Sequence, residues 1–429
     1  MVDQYFNTTE GNLLVGSVDI NAITEQFGTP LFVYDAQTLE RKWAALTNAL
    51  PDDMDIYYSI KANPNQSILQ FFLQRGLGLE IASQGELHQA LQAGCPAEKV
   101  IFAGPGKTEA ELVEAISQNI GEIHVESTRE VELIAAIAAN LQLQCNISLR
   151  INPAGEAQGG AMRMGGKPAP FGIDEESLDE AVTKVQSLNS VQLCGIHLFS
   201  GTQILDADIL ATQYEKALAI ADNVARLTSA PIETVDFGGG LGIPYFPHEE
   251  ALDVVDYGQR VGALIRDARK KPHFASTQFI VEPGRYLVGE AGIYVARVID
   301  VKQSRGKNFV ITDGGMHHHL AASGNLGQTI KRNYPVGVLN KLNSPAEETY
   351  EVVGPLCTPL DVLARQLALP KVEVGDLIGV FQSGAYGRTA SPLGFLSHTT
   401  PPEVLIDSGQ THLIRERGTP EDYLRDQPI

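Results

Sequence analysis

The chain is poor in the residues that mark several protein classes. Its four cysteines in 429 residues, Cys95, Cys145, Cys194 and Cys357, share no metal-like spacing and make no disulfide framework. That usage suits a reducing cytoplasm, with each thiol expected to be buried and inert. Basic residues are scarce. Lys and Arg number 32 against 52 Asp and Glu, a formal net charge of −20, which argues against nucleic acid or an anionic membrane as partner. No apolar run approaches a membrane span. The start, Met1-Val2-Asp3-Gln4-Tyr5, lacks the basic and apolar regions of a signal peptide. Internal repeats and low-complexity linkers are missing too. What is left is an acidic globular chain, long enough for a large core and two domains.

Short β-branched or aromatic runs recur near Ile56–Ile60, Leu79–Ala82, Val100–Ala103, Glu122–Val125, Ile147–Ile151, Leu193–Phe199, Thr234–Phe237 and Phe279–Glu282. Between them, apolar residues take helical spacing over Glu86–Ala93, Glu109–Ser117, Thr128–Leu141, Glu175–Leu188, Gln213–Leu227 and Val254–Arg269. Eight strands with helices between them predict a (β/α)8 barrel over 36–285. From Gly289 the pattern changes to extended runs at Ile293–Lys302, Asn308–Thr312, Tyr350–Val353 and Leu377–Gln382, separated by turns. Residues 286–429 therefore predict a mostly β domain, to which 1–35, with Pro30-Leu31-Phe32-Val33-Tyr34, adds a strand.

In a barrel of this kind, chemistry collects just past the carboxyl ends of the strands. The unusual residues do fall there: Lys61, Ser83, Gly104-Pro105-Gly106, Arg150, His197, Ser200, Gly238-Gly239-Gly240 and Glu282-Pro283-Gly284-Arg285. Lys61 ends an apolar run. A buried ammonium there is costly unless paired or neutralised, and a lysine that sheds its proton suits Schiff-base chemistry with an aldehyde. A lysine on a solvated face is the plain alternative. The glycine run lets amide N–H groups approach a phosphate, or else makes a tight turn. Glu282 and Arg285 suit a pyridine nitrogen and an anion, or else an internal ion pair.

In combination, Tyr58-Ser59-Ile60-Lys61-Ala62-Asn63, Ala82-Ser83-Gln84-Gly85-Glu86-Leu87, Gly195-Ile196-His197, the glycine run, Glu282-Pro283-Gly284-Arg285, Gly354-Pro355-Leu356-Cys357 and Ser383-Gly384-Ala385-Tyr386-Gly387 are specific. They resemble the fold-type III pyridoxal-phosphate decarboxylases, which include diaminopimelate and ornithine decarboxylases. The resemblance runs from Phe27-Gly28-Thr29-Pro30 to Pro401-Pro402-Glu403-Val404-Leu405. It implies that Lys61 carries the cofactor and that His197 packs on the pyridine face. It gives the phosphate to Ser200, Gly238, Gly239, Gly240 and Tyr386, the ring nitrogen to Glu282, and a place in the cofactor site to Gly284. Arg285 is implied to bind phosphate or the substrate carboxylate, and Arg150 to support the ring hydroxyl, with a barrel-core ion pair as its alternative. Cys357 is implied to come from the second subunit of a homodimer and to protonate the carbanion. Alanine racemases place an arginine at the pyridine nitrogen, so Glu282 favours decarboxylation.

The chain also departs from that family. Diaminopimelate and ornithine decarboxylases carry an acid directly after the cysteine, where this chain has Thr358, with Asp361 retained further on. Arg332 and Tyr334 stand in for the usual substrate-binding Arg-Pro-x-Leu-Tyr pattern, and Glu80 replaces an aspartate. Thr358, Asp361, Arg332, Tyr334, Arg285 and Tyr386 are the expected substrate contacts. A Gly/Pro-rich loop spans Met162–Gly172. His317-His318-His319 is read as strand, whose alternating side chains would oppose, so no metal is expected. These segments look most like the subgroup that decarboxylates a glutamyl group on an acyl-carrier protein. Diaminopimelate decarboxylation is the competing activity, and a non-catalytic regulatory homologue is the reading of another class.

Overall fold

The computed structural model describes residues 6–155, 162–163, 168–199, 201–328 and 330–428. The chain divides into two compact units. One comprises Ala44–Gly242 and Ala251–Gly284; the other comprises the residues up to Trp43, Ile243–Glu250 and the residues from Arg285 onward.

The first unit is a closed parallel barrel. Its strands are β1 (Met54–Ser59), β2 (Gly78–Ile81), β3 (Val100–Phe102), β4 (Glu122–Val125), β5 (Cys145–Asn152), β6 (Val191–Leu198), β7 (Thr234–Asp236) and β8 (Gln278–Val281). Each pairs in parallel with the next, and β8 returns to β1 through Phe279 opposite Met54. The strands are buried along almost their whole length, as expected where helices cover one face and side chains fill the other. Between strand and helix the turns carry N-caps. Ser83, Thr108, Ser127, Asp206 and Asp253 each accept a hydrogen bond from the first turn of the following helix, and Thr108 with Glu111 completes a capping box. Ser83 thus has a structural task at the end of β2.

In the second unit the long strand Gly292–Ser304 is the hub. It pairs antiparallel with Lys307–Thr312, Leu377–Val380 and Leu31–Asp35. Leu31–Asp35 also pairs in parallel with Glu403–Asp407. The N-terminal segment therefore does add a strand to the β-rich part of the chain. Alternation divides its side chains: Leu31 and Val33 join a core with Ile293, Val295, Val404 and Ile406, while Phe32 turns to Tyr294 and His319. Beyond those read from the sequence, the unit also has strands at Val336–Val338, Val362–Leu369 and Gln410–Arg415, and a small antiparallel sheet of Asn7–Thr9, Asn12–Val15 and Val18–Asp19. No helix among the described residues is long and apolar enough to cross a membrane.

Candidate active site

Lys61 lies in a single 3-10 turn, Ile60–Ala62, directly after β1. Its Nζ is 3.0 Å from both carboxylate oxygens of Glu80 on β2, and Ser59 donates its hydroxyl to the same carboxylate. Glu80 is buried, but the Lys61 side chain is 46% exposed. The expectation of a buried ammonium is corrected here: the side chain is half-exposed and paired with Glu80. The turn carries the side chain past the strand end, where it meets water on one side and a buried carboxylate on the other. Pro283 and Gly284 lie close to this turn, with the Pro283 carbonyl accepting from Ser59 N at 3.4 Å.

Inside the barrel, the register sets Arg150, His197 and Asp236 side by side on β5, β6 and β7. Glu282, just beyond β8, brings Oε2 to 3.5 Å from His197 Nε2. Burial holds the His197 imidazole down to about 4; Glu282 opposes that shift and His124 adds to it. Burial and Glu282 push Asp236 well above the usual carboxylate range. For Glu282 itself burial acts upward, but His197, His124 and Lys61 outweigh it and hold the carboxyl low. Glu282 Oε1 and both His197 ring nitrogens are buried without a hydrogen-bond partner. Arg150 pairs with Glu126 at 2.5 Å, and Glu126 also accepts from Gly104 N and Gly172 N. Of its two readings, the structure displays the barrel ion pair.

The glycine run follows β7. Gly238 and Gly240 have φ of 68° and 106°, a region that favours glycine. A Cβ on Gly238 would lie 2.7 Å from the Leu198 carbonyl oxygen, and one on Gly239 2.5 Å from that of Glu282. The run is therefore more than a turn; it lets three backbone segments approach each other. Ser200 lies outside the described residues, as do most of the Met162–Gly172 loop side chains.

In the second unit, Arg285 is enclosed by aromatic rings. Its Nη1 donates to the Tyr245 hydroxyl at 2.8 Å, its guanidinium lies 4.7 Å from the Tyr386 ring, and its Nε is buried without a partner. Tyr386 holds φ at 52°, a strained value for a non-glycine residue and one that collects at functional sites. Tyr334 is buried against Tyr245 with ring centroids 4.6 Å apart. Arg332 is exposed and reaches His248 at 3.1 Å.

Cys357 is exposed, whereas the other three cysteines are buried. The expectation that all four are buried therefore fails for this one. Asp361 is 2% exposed and accepts from Met316 N at 2.6 Å and Leu356 N at 2.9 Å. Gly315 and Gly354 press on it so closely that a Cβ on either would lie within 2.4 Å of a carboxylate oxygen. Its place is thus to fasten the Cys357 loop to the 314–319 segment, a positioning task rather than the direct substrate contact read for it. That segment is turn, not strand, so the argument from alternation does not hold there. His317, His318 and His319 are all buried; His318 meets Tyr294 and the Thr399 carbonyl, and His319 meets Ser383.

His124, Glu126 and Tyr245 escaped sequence reading. β4 is the one strand for which no residue had been singled out, and its period-two pattern of Glu122, His124 and Glu126 was the available signal. His124, His197 and Glu282 bring their donor atoms within 4.8 Å of one another, the closest such grouping among the described residues.

The barrel residues fit pyridoxal phosphate. Lys61 offers an amine at the strand ends, the glycine run offers close backbone, and the orphaned Glu282 Oε1 offers an acceptor for a protonated ring nitrogen. Known proteins agree. Residues 36–289 match the model for the pyridoxal-dependent decarboxylase, pyridoxal binding domain. The L-glutamyl-[BtrI acyl-carrier protein] decarboxylase of Niallia circulans is 39% identical over 95% of this chain and 96% of its own. The diaminopimelate decarboxylase of Zymomonas mobilis is 32% identical, covering 98% of both chains. The crystal structure of diaminopimelate decarboxylase from M. jannaschii in co-complex with L-lysine superposes with a TM-score of 0.92 at 27% identity, over 100% of this chain and 99% of that one.

Proposed function

The chain belongs to the pyridoxal-dependent decarboxylases, and we propose that it removes the α-carboxylate of an amino-acid conjugate lacking a free distal ammonium, preferably a carrier-tethered glutamyl group. The observation that carries this reading is the loop around Cys357. Where basic-substrate members of the family have an acid after the cysteine, Thr358 offers a hydroxyl. Asp361, the one carboxylate in 354–361, is buried with both oxygens engaged by backbone N–H groups. A distal ammonium would find no open carboxylate on this loop, and sites that hydrogen-bond a substrate group discriminate strongly for it. A glutamyl group joined to a carrier has no distal amine to satisfy.

Pyridoxal phosphate, when bound, joins the substrate amine through its aldehyde and takes up the electron pair released with carbon dioxide. The chain's own groups divide the remaining work. Lys61 supplies the amine that anchors the aldehyde, and Glu282 keeps a proton on the pyridine nitrogen. His197, neutral at physiological pH, packs on the ring face without competing for that proton. By the family resemblance, the Gly238–Gly240 amides, Ser200 and Tyr386 would hold the phosphate, Gly284 would belong to the cofactor site, and Arg285 would serve the phosphate or the substrate carboxylate. Arg332 and Tyr334 orient the substrate, and Arg150 steadies the β5 end through Glu126. Cys357, acting from the neighbouring subunit of a homodimer, returns a proton to Cα.

The test is a carbon dioxide release screen across carrier-linked glutamate, free glutamate, meso-diaminopimelate, ornithine, lysine and arginine. Carrier-linked glutamate is expected to turn over fastest. Turnover of diaminopimelate with equal or higher kcat/KM would overturn the substrate reading and leave the family assignment intact. Lys61→Ala should abolish the absorbance of the lysine-bound cofactor.

A further inference from the structure

Beneath Glu282 the barrel encloses an unusual concentration of acid. Glu122, Asp236 and Glu282 are all at least 94% buried, and His124 and His197 lie within ion-pairing distance of them. Carboxyls this close in a dry interior cannot all ionise uncompensated; Asp236 is pushed towards its neutral form, and any charge left on its neighbours still calls for a partner. One side chain reaches all three. His124, fully buried, places Nε2 3.2 Å from Glu122 Oε1 and 3.8 Å from Asp236 Oδ2, and Nδ1 4.0 Å from Glu282 Oε1. Its ring also stacks on His197, with centroids 4.3 Å apart and planes at 24°.

The other charged or titratable groups around this nest are accounted for. Arg150 is engaged by Glu126, and Lys107 binds Glu130 with the carbonyls of Gly104 and His124. Tyr57, beside Glu122 and Asp236, and Tyr214, beside Asp236 and Glu282, are held in their neutral forms chiefly by burial, as are Cys145 and Cys194 near Glu122. Lys61 acts on Glu282 from the strand ends, where Glu80 already holds it.

We propose that His124 is a positioning residue for the decarboxylation: the buried imidazolium that balances this carboxyl nest and keeps Glu282 ionised behind the pyridine nitrogen. The inference rests on the cofactor, not on which substrate is used. It separates two tasks that adjacent imidazoles perform. His197 faces the ring and is neutral; His124, one layer behind it, supplies the charge. Without that charge, proximity of Glu122 and Asp236 drives a proton onto Glu282, and a protonated Glu282 can no longer hold one on the ring nitrogen.

His124→Phe keeps a flat ring against His197 and removes the charge. His124→Phe with Glu122→Gln removes the charge and one of the carboxyls it balances. In holoenzyme loaded with cofactor labelled at the ring nitrogen, 15N NMR should report a protonated nitrogen in wild type, loss of that proton in the single variant, and its return in the double. The kcat should fall about 10- to 100-fold in the single variant, the range expected when an opposite charge within a few ångströms is lost, and recover in the double. An unchanged 15N shift in the single variant would overturn the proposal. So would a double variant no better than the single, because packing alone gives no such rescue. If the variants fail to fold, 13C-histidine NMR of wild type decides instead: a neutral His124 at pH 7 refutes the assignment.

Discussion

Replacing Gly239 with alanine measures how closely the glycine run must approach the Glu282 backbone. The residue has no left-handed φ, so alanine is allowed at its own backbone angles and the cost is steric alone. The added Cβ would stand 2.5 Å from the Glu282 carbonyl oxygen, about 1 Å short of an ordinary C···O contact. Backbone carbonyls cannot rotate away as a side chain can, so the run and the Glu282 loop must separate. Overpacking of this kind costs about 1–3 kcal/mol. If the strain falls on the bound form, cofactor affinity drops roughly 5- to 150-fold. If it falls on the fold, the thermal midpoint drops by a few degrees. Titrating the apoenzyme with pyridoxal phosphate and melting it separately resolves the two. Gly106→Ala, on the loop after β3 with nothing within 4 Å of its Cβ, is the control and should change neither. Unchanged affinity and unchanged melting in Gly239→Ala would refute the reasoning.

Thr358→Glu should raise kcat/KM for diaminopimelate by roughly tenfold or more and lower it for carrier-linked glutamate, since it supplies the missing charge partner; steady-state kinetics on both substrates checks it. Asp361→Asn leaves one of the Met316 and Leu356 N–H groups facing an amide NH2, at a cost of about 1–3 kcal/mol. Turnover should fall while the absorbance of the bound cofactor persists, and full activity would show that the carboxylate does not set the Cys357 loop. Acid should destabilise the fold earlier than carboxylate titration alone would. His197, His317, His319 and His318 are held down, chiefly by burial, to about 4, 4, 3 and 2. Their folded values lie below the unfolded value near 6.5, so their contribution is complete above pH 6.5 and is lost as pH falls towards each folded value, about 4 for His197 and His317 and lower for His319 and His318. Denaturant unfolding should show a slope of up to about 1 kcal/mol per pH unit for each histidine, and a flat profile between pH 7 and 5 would contradict it.

The barrel was legible because its strands are short, buried on both faces and separated by periodic helices, so each of the eight runs could be read within a few residues. The strand-end rule then found Lys61, His197 and Glu282 without any contact being known. Harder to see was anything set by packing rather than by position in a motif. Lys61 looks buried by its neighbours in sequence, yet a three-residue turn lifts it to the surface beside Glu80. The histidine run reads as strand by composition, but Gly314 and Gly315 precede it and His318 N turns back to the Gly315 carbonyl. Asp361 looked like a substrate contact because it is retained four residues after Cys357 in a segment that resembles the family's. Only its two backbone hydrogen bonds reveal the other task. His124 lies on a strand whose sequence, Glu-Ile-His-Val, alternates polar and apolar residues and so reads as half-exposed. In a barrel interior the same alternation points acid and imidazole inward.

These placements divide chemistry from selectivity along the chain. The groups that would govern the electron sink, Glu282 with His197 and the carboxyl nest behind it, are fixed by strand register within one compact unit. The groups that would choose the substrate, Thr358 and the residues Asp361 holds in place, sit on loops of the other. A loop residue such as Thr358 is half-exposed and belongs to a different unit from the carboxyl nest, so it can change identity without altering the strand residues that set the proton inventory. A strand residue such as His124 cannot, because its replacement shifts every charge it touches. The same division accounts for relatives with different substrates matching this chain over nearly its full length. It also makes the two principal tests independent: Thr358→Glu should alter which substrate is used while the ring-nitrogen signal stays in place, and His124→Phe should alter that signal whichever substrate is supplied.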